Sequence, residues 1–309
     1  MGMKKIAFVF PGQGAQYAGM GKDFYEQFPE SREVFERAGE LLGMDMKALC
    51  FEENDRLDLT EYTQAAMITT IGAMLKKIGT MGIHPQAAAG LSLGEYAALV
   101  TAGVLDLYDA IRLVRLRGQL MQEAVPQGVG GMAAVLGMEQ AAVEQVCEET
   151  AGVVTVANYN CPGQLVISGE ISAVQAASAA LKERGAKRVV PLNVSGPFHS
   201  PLLQPAGEKL LLALKDTEIH TPKLPYAANV TAEYVREADG IRGLLARQIS
   251  SSVRWQQCVE CMVADGVEVF VEIGPGKTIS SFVKKIDRTK ETINIDKAED
   301  LEKLSALFA

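Results

Sequence analysis

Gly90-Leu91-Ser92-Leu93-Gly94 is a G-x-S-x-G pentapeptide, and what surrounds it decides how the chain is read. A weak strand-like run at 86–89 leads into it and an apolar helical run at 95–100 leads out. Strand, sharp turn and helix in that order make a nucleophile elbow, which presents a serine hydroxyl at the end of a sheet. The turn is cramped and strained, so its flanks want residues without a Cβ. The helix behind the serine aims its first N–H groups at any oxyanion formed on a substrate carbonyl. The same five positions also fit an ordinary small-residue turn, so the reading needs partners elsewhere in the chain.

Working outward, the segment before the elbow alternates strand and helix. A strand at 6–10 is followed by helical runs at 19–28, 31–42 and 62–80, and a long helix at 107–123 comes after the elbow. In that last helix Ile111, Val114, Leu116 and Met121 recur at roughly helical spacing. Val125-Pro126-Gln127-Gly128 breaks the pattern. The next stretch has another rhythm: strand 132–136, helix 139–150, strands 153–157 and 164–168, helix 172–184, strand 188–194. Asn160-Cys161-Pro162-Gly163 is expected to turn between the two middle strands. That βαββαβ order is the ferredoxin-like unit. The larger pattern then resumes with helices at 201–214, 241–249 and 255–265, a buried strand at 267–273, Gly274-Pro275-Gly276 and a last helix. The small unit therefore reads as inserted into the large one.

Composition narrows the function classes. The chain has 309 residues, enough for one large domain or two unequal ones. A net charge of -8 argues against a general nucleic-acid binder. No apolar run is long enough to span a membrane. Lys4-Lys5 leads directly into the first strand, so no signal peptide is expected, and Ile6 sits where a myristoylation motif wants Ser or Thr. Five cysteines without framework spacing point to a reducing cytoplasm. Cys258 and Cys261 form a C-x-x-C inside a helical pattern with Trp255, Val259 and Met262, with no second pair and no histidine nearby, so no metal is expected there.

A serine nucleophile needs a base, and the chain has three histidines. His84 and His220 lie in loops. His199 lies in Ser195-Gly196-Pro197-Phe198-His199-Ser200, where the inserted unit ends and an interdomain crevice is expected. His199 is therefore the expected base. The first strand runs into Pro11-Gly12-Gln13-Gly14-Ala15-Gln16. A dinucleotide fingerprint wants glycine next, and the residue is Tyr17, so that reading fails. The turn either supplies a second oxyanion donor, from a backbone N–H or the Gln13 side chain, or is an ordinary strand-to-helix connection.

Taken together, Phe10-Pro-Gly-Gln-Gly-Ala-Gln16, Gly90-Leu-Ser-Leu-Gly-Glu95, Arg117-Gly118, Gly196-Pro-Phe-His199, Gln248 ahead of Val253-Arg254-Trp255, and Glu272-Ile-Gly-Pro-Gly-Lys277 occur in an order and spacing that is specific as a set. They closely resemble the malonyl-CoA:acyl-carrier-protein transacylases of bacterial type II fatty-acid synthesis, from Ile6 to about Ile286. The resemblance implies an α/β fold: an α/β-hydrolase-like large domain (1–126 and 197–309) with an inserted ferredoxin-like small domain (127–196). It implies Ser92 as the acyl-accepting nucleophile and His199 as its base. It implies Leu93 and Gln13 backbone N–H groups as the oxyanion hole, Arg117 as the malonyl carboxylate binder, and Asn160 near the acyl pocket. A backbone carbonyl at Gln248, in place of an aspartate, would orient the histidine. Phe198 would limit space beside the base and disfavour branched acyl groups. One departure is Leu91, where the family usually has histidine.

From sequence alone Arg117, among Arg112 and Arg115, reads as a solvated helix-face charge, and the resemblance reverses that reading. A planar guanidinium binds a carboxylate through two parallel N–H···O bonds. The expected enzyme is thus a cytoplasmic, monomeric acyltransferase. It would take malonyl from CoA and pass it to the thiol of an acidic acyl carrier protein, with no metal or organic cofactor. Lys187-Arg188, and Lys277, Lys284, Lys285 and Arg288, are expected carrier-docking clusters. A carboxylesterase or thioesterase, or a non-catalytic carrier-binding scaffold, are the alternatives.

Overall fold

β1 (Ile6–Phe10) is buried along its whole length, as a central parallel strand must be. In the computed structural model the described residues are 4–126, 128–194 and 196–307. Residues 1–3, Gln127 of the break and Ser195 of the turn lie outside them. From β1 the chain passes through α1 (Lys22–Gln27), α2 (Pro29–Leu42), α3 (Met46–Phe51) and the long α4 (Thr60–Thr80) to β2 (Ala87–Gly90). α5 (Gly94–Thr101) and α6 (Leu107–Glu123) follow. A second rhythm runs β3 (Gly130–Leu136), α7 (Gln140–Glu149), β4 (Val154–Cys161), β5 (Gln164–Glu170), α8 (Ile171–Glu183) and β6 (Arg188–Pro191). The return comprises α9 (Gln204–Leu214), β7 (Tyr226–Ala227), β8 (Tyr234–Val235), α10 (Ile241–Gln248), α11 (Trp255–Ala264), β9 (Val269–Ile273), α12 (Thr278–Ile286), β10 (Glu291–Ile295) and α13 (Leu301–Ser305).

Among the described residues, six strands form a sheet in the order β10-β9-β1-β2-β7-β8. Its members run parallel, except that β8 is antiparallel to β7. β1 splits its side chains between two apolar layers. Ile6, Phe8 and Phe10 enter the core with α2, α4 and α6, while Ala7 and Val9 face the layer of α11 and α12. Strand β2 is almost all alanine, and burial between β1 and β7 makes it a strand, not intrinsic propensity.

The second sheet is antiparallel, in the order β4-β5-β3-β6. α7 and α8 cover it through Val143, Ala177 and Leu181. The free edge of β4 is tied back to the larger unit. Val253 N donates to Ala157 O (2.8 Å), and Tyr159 N donates to Val253 O (2.9 Å). The Ser252 hydroxyl adds a bond to Val156 O at 2.6 Å.

Three expectations are corrected. The strand expected at 153–157 runs on to Cys161, so Asn160 stands on β4 and the turn shrinks to Pro162-Gly163. Register shifts between Val156 and Asn158, and between Tyr159 and Cys161, break the two-residue alternation that would have marked the strand. The helix after Gly276 is not the last element, since β10 and α13 follow it. Between the helices expected at 201–214 and 241–249, where no strand was expected, lie β7 and β8, each two residues long. Among the described residues no helix is long and apolar enough to cross a membrane.

Candidate active site

The elbow between β2 and α5 is closed by contact. A Cβ on Gly90 would lie 2.0 Å from the Gly94 backbone, and one on Gly94 would lie 2.4 Å from Phe10 O. Ser92 itself has φ 52°, in the left-handed region that a serine enters at a cost. Asn229 holds it there. Its Oδ1 accepts from Ser92 N at 2.7 Å and its Nδ2 donates to Gly90 O at 2.8 Å. One buried amide thus satisfies two backbone groups that the turn leaves unpaired.

His199 comes from the loop ahead of α9 and also has a positive φ, 58°. Its Nδ1 lies 2.8 Å from Gln248 O. A carbonyl can only accept, so Nδ1 carries the proton and Nε2 is free to accept. Nε2 lies 2.7 Å from Ser92 Oγ, the geometry of a base poised on a hydroxyl. The ring is 4% exposed. Burial, and then the nearby Arg117 charge, lower its pKa to about 4. It is therefore neutral at neutral pH. A main-chain carbonyl thus stands where a triad would have an aspartate.

Arg117 lies on the inner face of α6 and is 1% exposed, so it is not a solvated helix-face charge. Its Nη1 donates to Gln64 Oε1 at 2.8 Å, and its Nη2 to Gln248 Oε1 at 2.9 Å. Nη2 also reaches Ser92 Oγ at 3.3 Å. Nε has no partner among the described residues. None of the ion pairs among the described residues includes Arg117. The guanidinium is thus a buried cation held by neutral amide oxygens, an arrangement that favours an incoming carboxylate.

These groups open onto a cavity of about 240 Å³ between the two sheets, lined also by Gln13, Asn160 and Phe198. The Gln13 side chain turns away to Thr60 Oγ1 (3.1 Å). What it leaves at the cavity is backbone. Among the described residues neither the Gln13 nor the Leu93 backbone N–H has a hydrogen-bond partner. Asn160 Oδ1 is buried and likewise unpartnered among them. Leu91 makes one wall apolar. Among the described residues no cluster of His, Cys, Asp or Glu is arranged to hold a metal.

Sequence reasoning missed Gln64, Glu95 and Asn229 as site residues. Gln64 and Asn229 are fully buried, and Glu95 is 1% exposed. The available signal was a polar residue in an apolar run, as with Gln64 beside Ala65-Ala66-Met67-Ile68. Cys258 is buried, its thiol pushed well above the usual range, and it packs in the α11 core without a thiol partner.

The chain is similar to known proteins over nearly its whole length. Residues 7–301 match the acyl transferase domain family. The malonyl CoA-acyl carrier protein transacylase of Bacillus subtilis (strain 168) is 47% identical over 304 residues, covering 97% of this chain and 96% of that protein. A crystal structure of the malonyl CoA-acyl carrier protein transacylase from Clostridium perfringens superposes with a TM-score of 0.95 at 45% identity, covering 98% of this chain and 97% of that one. A malonyl-transacylase solved in complex with its type II PKS acyl-carrier protein gives 0.95 at 40% identity, covering 98% and 99%. The chain belongs to the acyl transferase family, among the malonyl CoA-acyl carrier protein transacylases.

Proposed function

We propose that the protein transfers a malonyl group from CoA to the phosphopantetheine thiol of an acyl carrier protein, through an ester on Ser92. His199 Nε2 takes the Ser92 proton as Oγ attacks the thioester carbonyl, 2.7 Å separating the two groups beforehand. The oxyanion of the tetrahedral intermediate sits against the Gln13 and Leu93 N–H groups. The C–S bond then breaks, and CoA leaves as the thiol with the proton from His199. In the second half the carrier thiol attacks the ester carbonyl, His199 accepts its proton, the C–O bond breaks and Ser92 recovers its hydrogen. Neither half needs a metal or a further cofactor. Gln248 O keeps Nδ1 protonated throughout. Asn160 contacts the acyl group, and Phe198 bounds the pocket beside the base.

The observation that carries this reading is Arg117: fully desolvated, without a carboxylate partner among the described residues, and 3.3 Å from the nucleophile. An esterase of neutral acyl groups has no use for it. Leaving it unpaired with acetyl in the site costs on the order of 3–5 kcal/mol, whereas malonyl pairs with it. The names of the relatives support the same substrates.

The strand order β4-β5-β3-β6 supports a ferredoxin-like small domain over 127–196. The parallel sheet with its elbow supports an α/β-hydrolase-like large domain over 1–126 and 197–309. The free cysteines are in keeping with a cytoplasmic enzyme.

The test is intact mass after incubation with malonyl-CoA. Wild type should gain one malonyl group, Ser92→Ala should gain none, and His199→Ala should load about 10²–10⁴-fold more slowly. An increment that persists in Ser92→Ala would remove the nucleophile from this scheme.

A further inference from the structure

Glu95 follows the elbow directly, in the first turn of α5, and is 1% exposed. Its Oε2 accepts from Gln248 Nε2 at 2.7 Å and from Asn229 N at 3.2 Å. The same Gln248 side chain accepts from Arg117 Nη2 at 2.9 Å and donates to Ser92 O at 2.9 Å. A single amide therefore separates a buried carboxyl from the buried guanidinium and is anchored to the nucleophile. The titratable groups around Glu95 are Tyr96 on its own helix, Arg117 on α6, Tyr226 on β7, Cys258 on α11, and His199 across Gln248. Burial keeps Tyr96, Tyr226, Cys258 and His199 uncharged at neutral pH, which leaves Arg117 as the cation among them.

We propose that Glu95 is a proton-coupled positioning residue for the carboxylated acyl group: ionised in the empty site it balances Arg117 through Gln248, and it takes up a proton when the malonyl carboxylate pairs with Arg117. This rests on the transfer reading above. Two carboxylates and one guanidinium buried together leave an uncompensated negative charge, which a low-dielectric site disfavours. The substrate carboxylate touches Arg117 directly and keeps its charge. Glu95 reaches Arg117 only through an amide, so it is the group that yields. Burial already raises Glu95 to about 7, against the lowering effects of Gln248, Asn229 and Arg117, so cancelling the Arg117 charge moves it across neutral pH.

A carboxyl whose pKa rises on binding makes binding stronger at low pH. Malonyl affinity should be level below about pH 7, where Glu95 is already protonated in the free protein. It should then weaken by up to about tenfold per pH unit above that. Acetyl, which brings no carboxylate, should show no such slope.

The experiment uses Ser92→Ala to stop chemistry. Malonyl-CoA is titrated calorimetrically slightly above neutral pH in two buffers of unequal ionisation heat, with acetyl-CoA subtracted. Malonyl-CoA should bring a proton uptake that acetyl-CoA does not, and adding Glu95→Gln should abolish both the uptake and the pH slope. A difference infrared spectrum should show a protonated-carboxyl band appearing with malonyl-CoA, a readout that needs no substitution at Glu95. No uptake and no band, or an uptake that survives Glu95→Gln, overturns the inference. If wild type loads malonyl in preference to acetyl yet no proton moves, the transfer reading stands and Glu95 is a structural partner of Gln248. If malonyl does not load at all, both fall.

Discussion

In the proposed reaction His199 acts as a base only while Nε2 is unprotonated. Burial and the Arg117 charge place its pKa at about 4, below the 6.5 of an ordinary histidine. The acid limb of kcat/KM for acyl loading should accordingly lie near pH 4. Stability falls in the same direction, over the interval just above that limb. Below 6.5 the unfolded chain binds a proton that the folded chain refuses. The loss grows as pH falls, approaching about 3 kcal/mol near pH 4. Replacing Arg117 removes the second cause of the shift. Arg117→Met should raise the acid limb, read with acetyl-CoA because malonyl loading is lost, and should collapse the malonyl-to-acetyl ratio of kcat/KM. An unmoved limb would assign the shift to burial alone. An unmoved ratio would take Arg117 out of acyl selection.

At the scale of elements, the proposed malonyl site depends on how closely α4 and α6 cross. A Cβ on Gly118 would lie 2.6 Å from Glu61 Cα and 2.8 Å from Thr60 O. That approach brings Gln64 of α4 to 2.8 Å from Arg117 of α6. Gly118→Ala should push the helices apart and cost about 1–3 kcal/mol in thermal or denaturant unfolding. It should also raise KM for malonyl-CoA more than for acetyl-CoA. Equal effects on the two substrates would mean that the crossing supports the fold without setting the Arg117 position. Long elements such as α6 were legible because their periodicity is long and uninterrupted. β4 was cut short because two bulges erase its alternation. β7 and β8 are too brief to carry a pattern, and β10 hides behind the assumption that a closing helix ends the chain. In the site, residues with dedicated chemistry stood out: a serine in an elbow and a histidine at a crevice. Asn229, Gln64 and Glu95 did not, because their roles are relations between side chains that only folding brings together.

For the whole molecule, the chain is acidic and the resemblance implies an acidic carrier, so docking would need a locally positive surface. Helix α12 is placed to supply one. Ile279 and Phe282 on its inner side line the cavity, while Lys284, Lys285 and Arg288 lie exposed at its far end and beyond. Lys285 Nζ also bonds Gln164 Oε1 at 3.1 Å, at the start of β5 in the smaller sheet, so this cation sits where the two units meet. Lys187 and Arg188 are exposed too, but they stand at the start of β6, and it is Leu192 and Val194, beyond that strand's end, that reach the cavity. A phosphopantetheine arm entering between the sheets would therefore bring its carrier onto α12 before it reached Lys187. The double reversal Lys284→Glu with Lys285→Glu should raise KM for the carrier, most steeply at low salt, and leave malonyl-CoA loading of Ser92 unchanged. Loading and transfer are separable measurements, intact mass for one and carrier acylation for the other. If both fall together, the lysines act on the fold or on CoA; if neither moves, the same reversal at Lys187 and Arg188 should reproduce the selective loss and place the carrier on the smaller sheet.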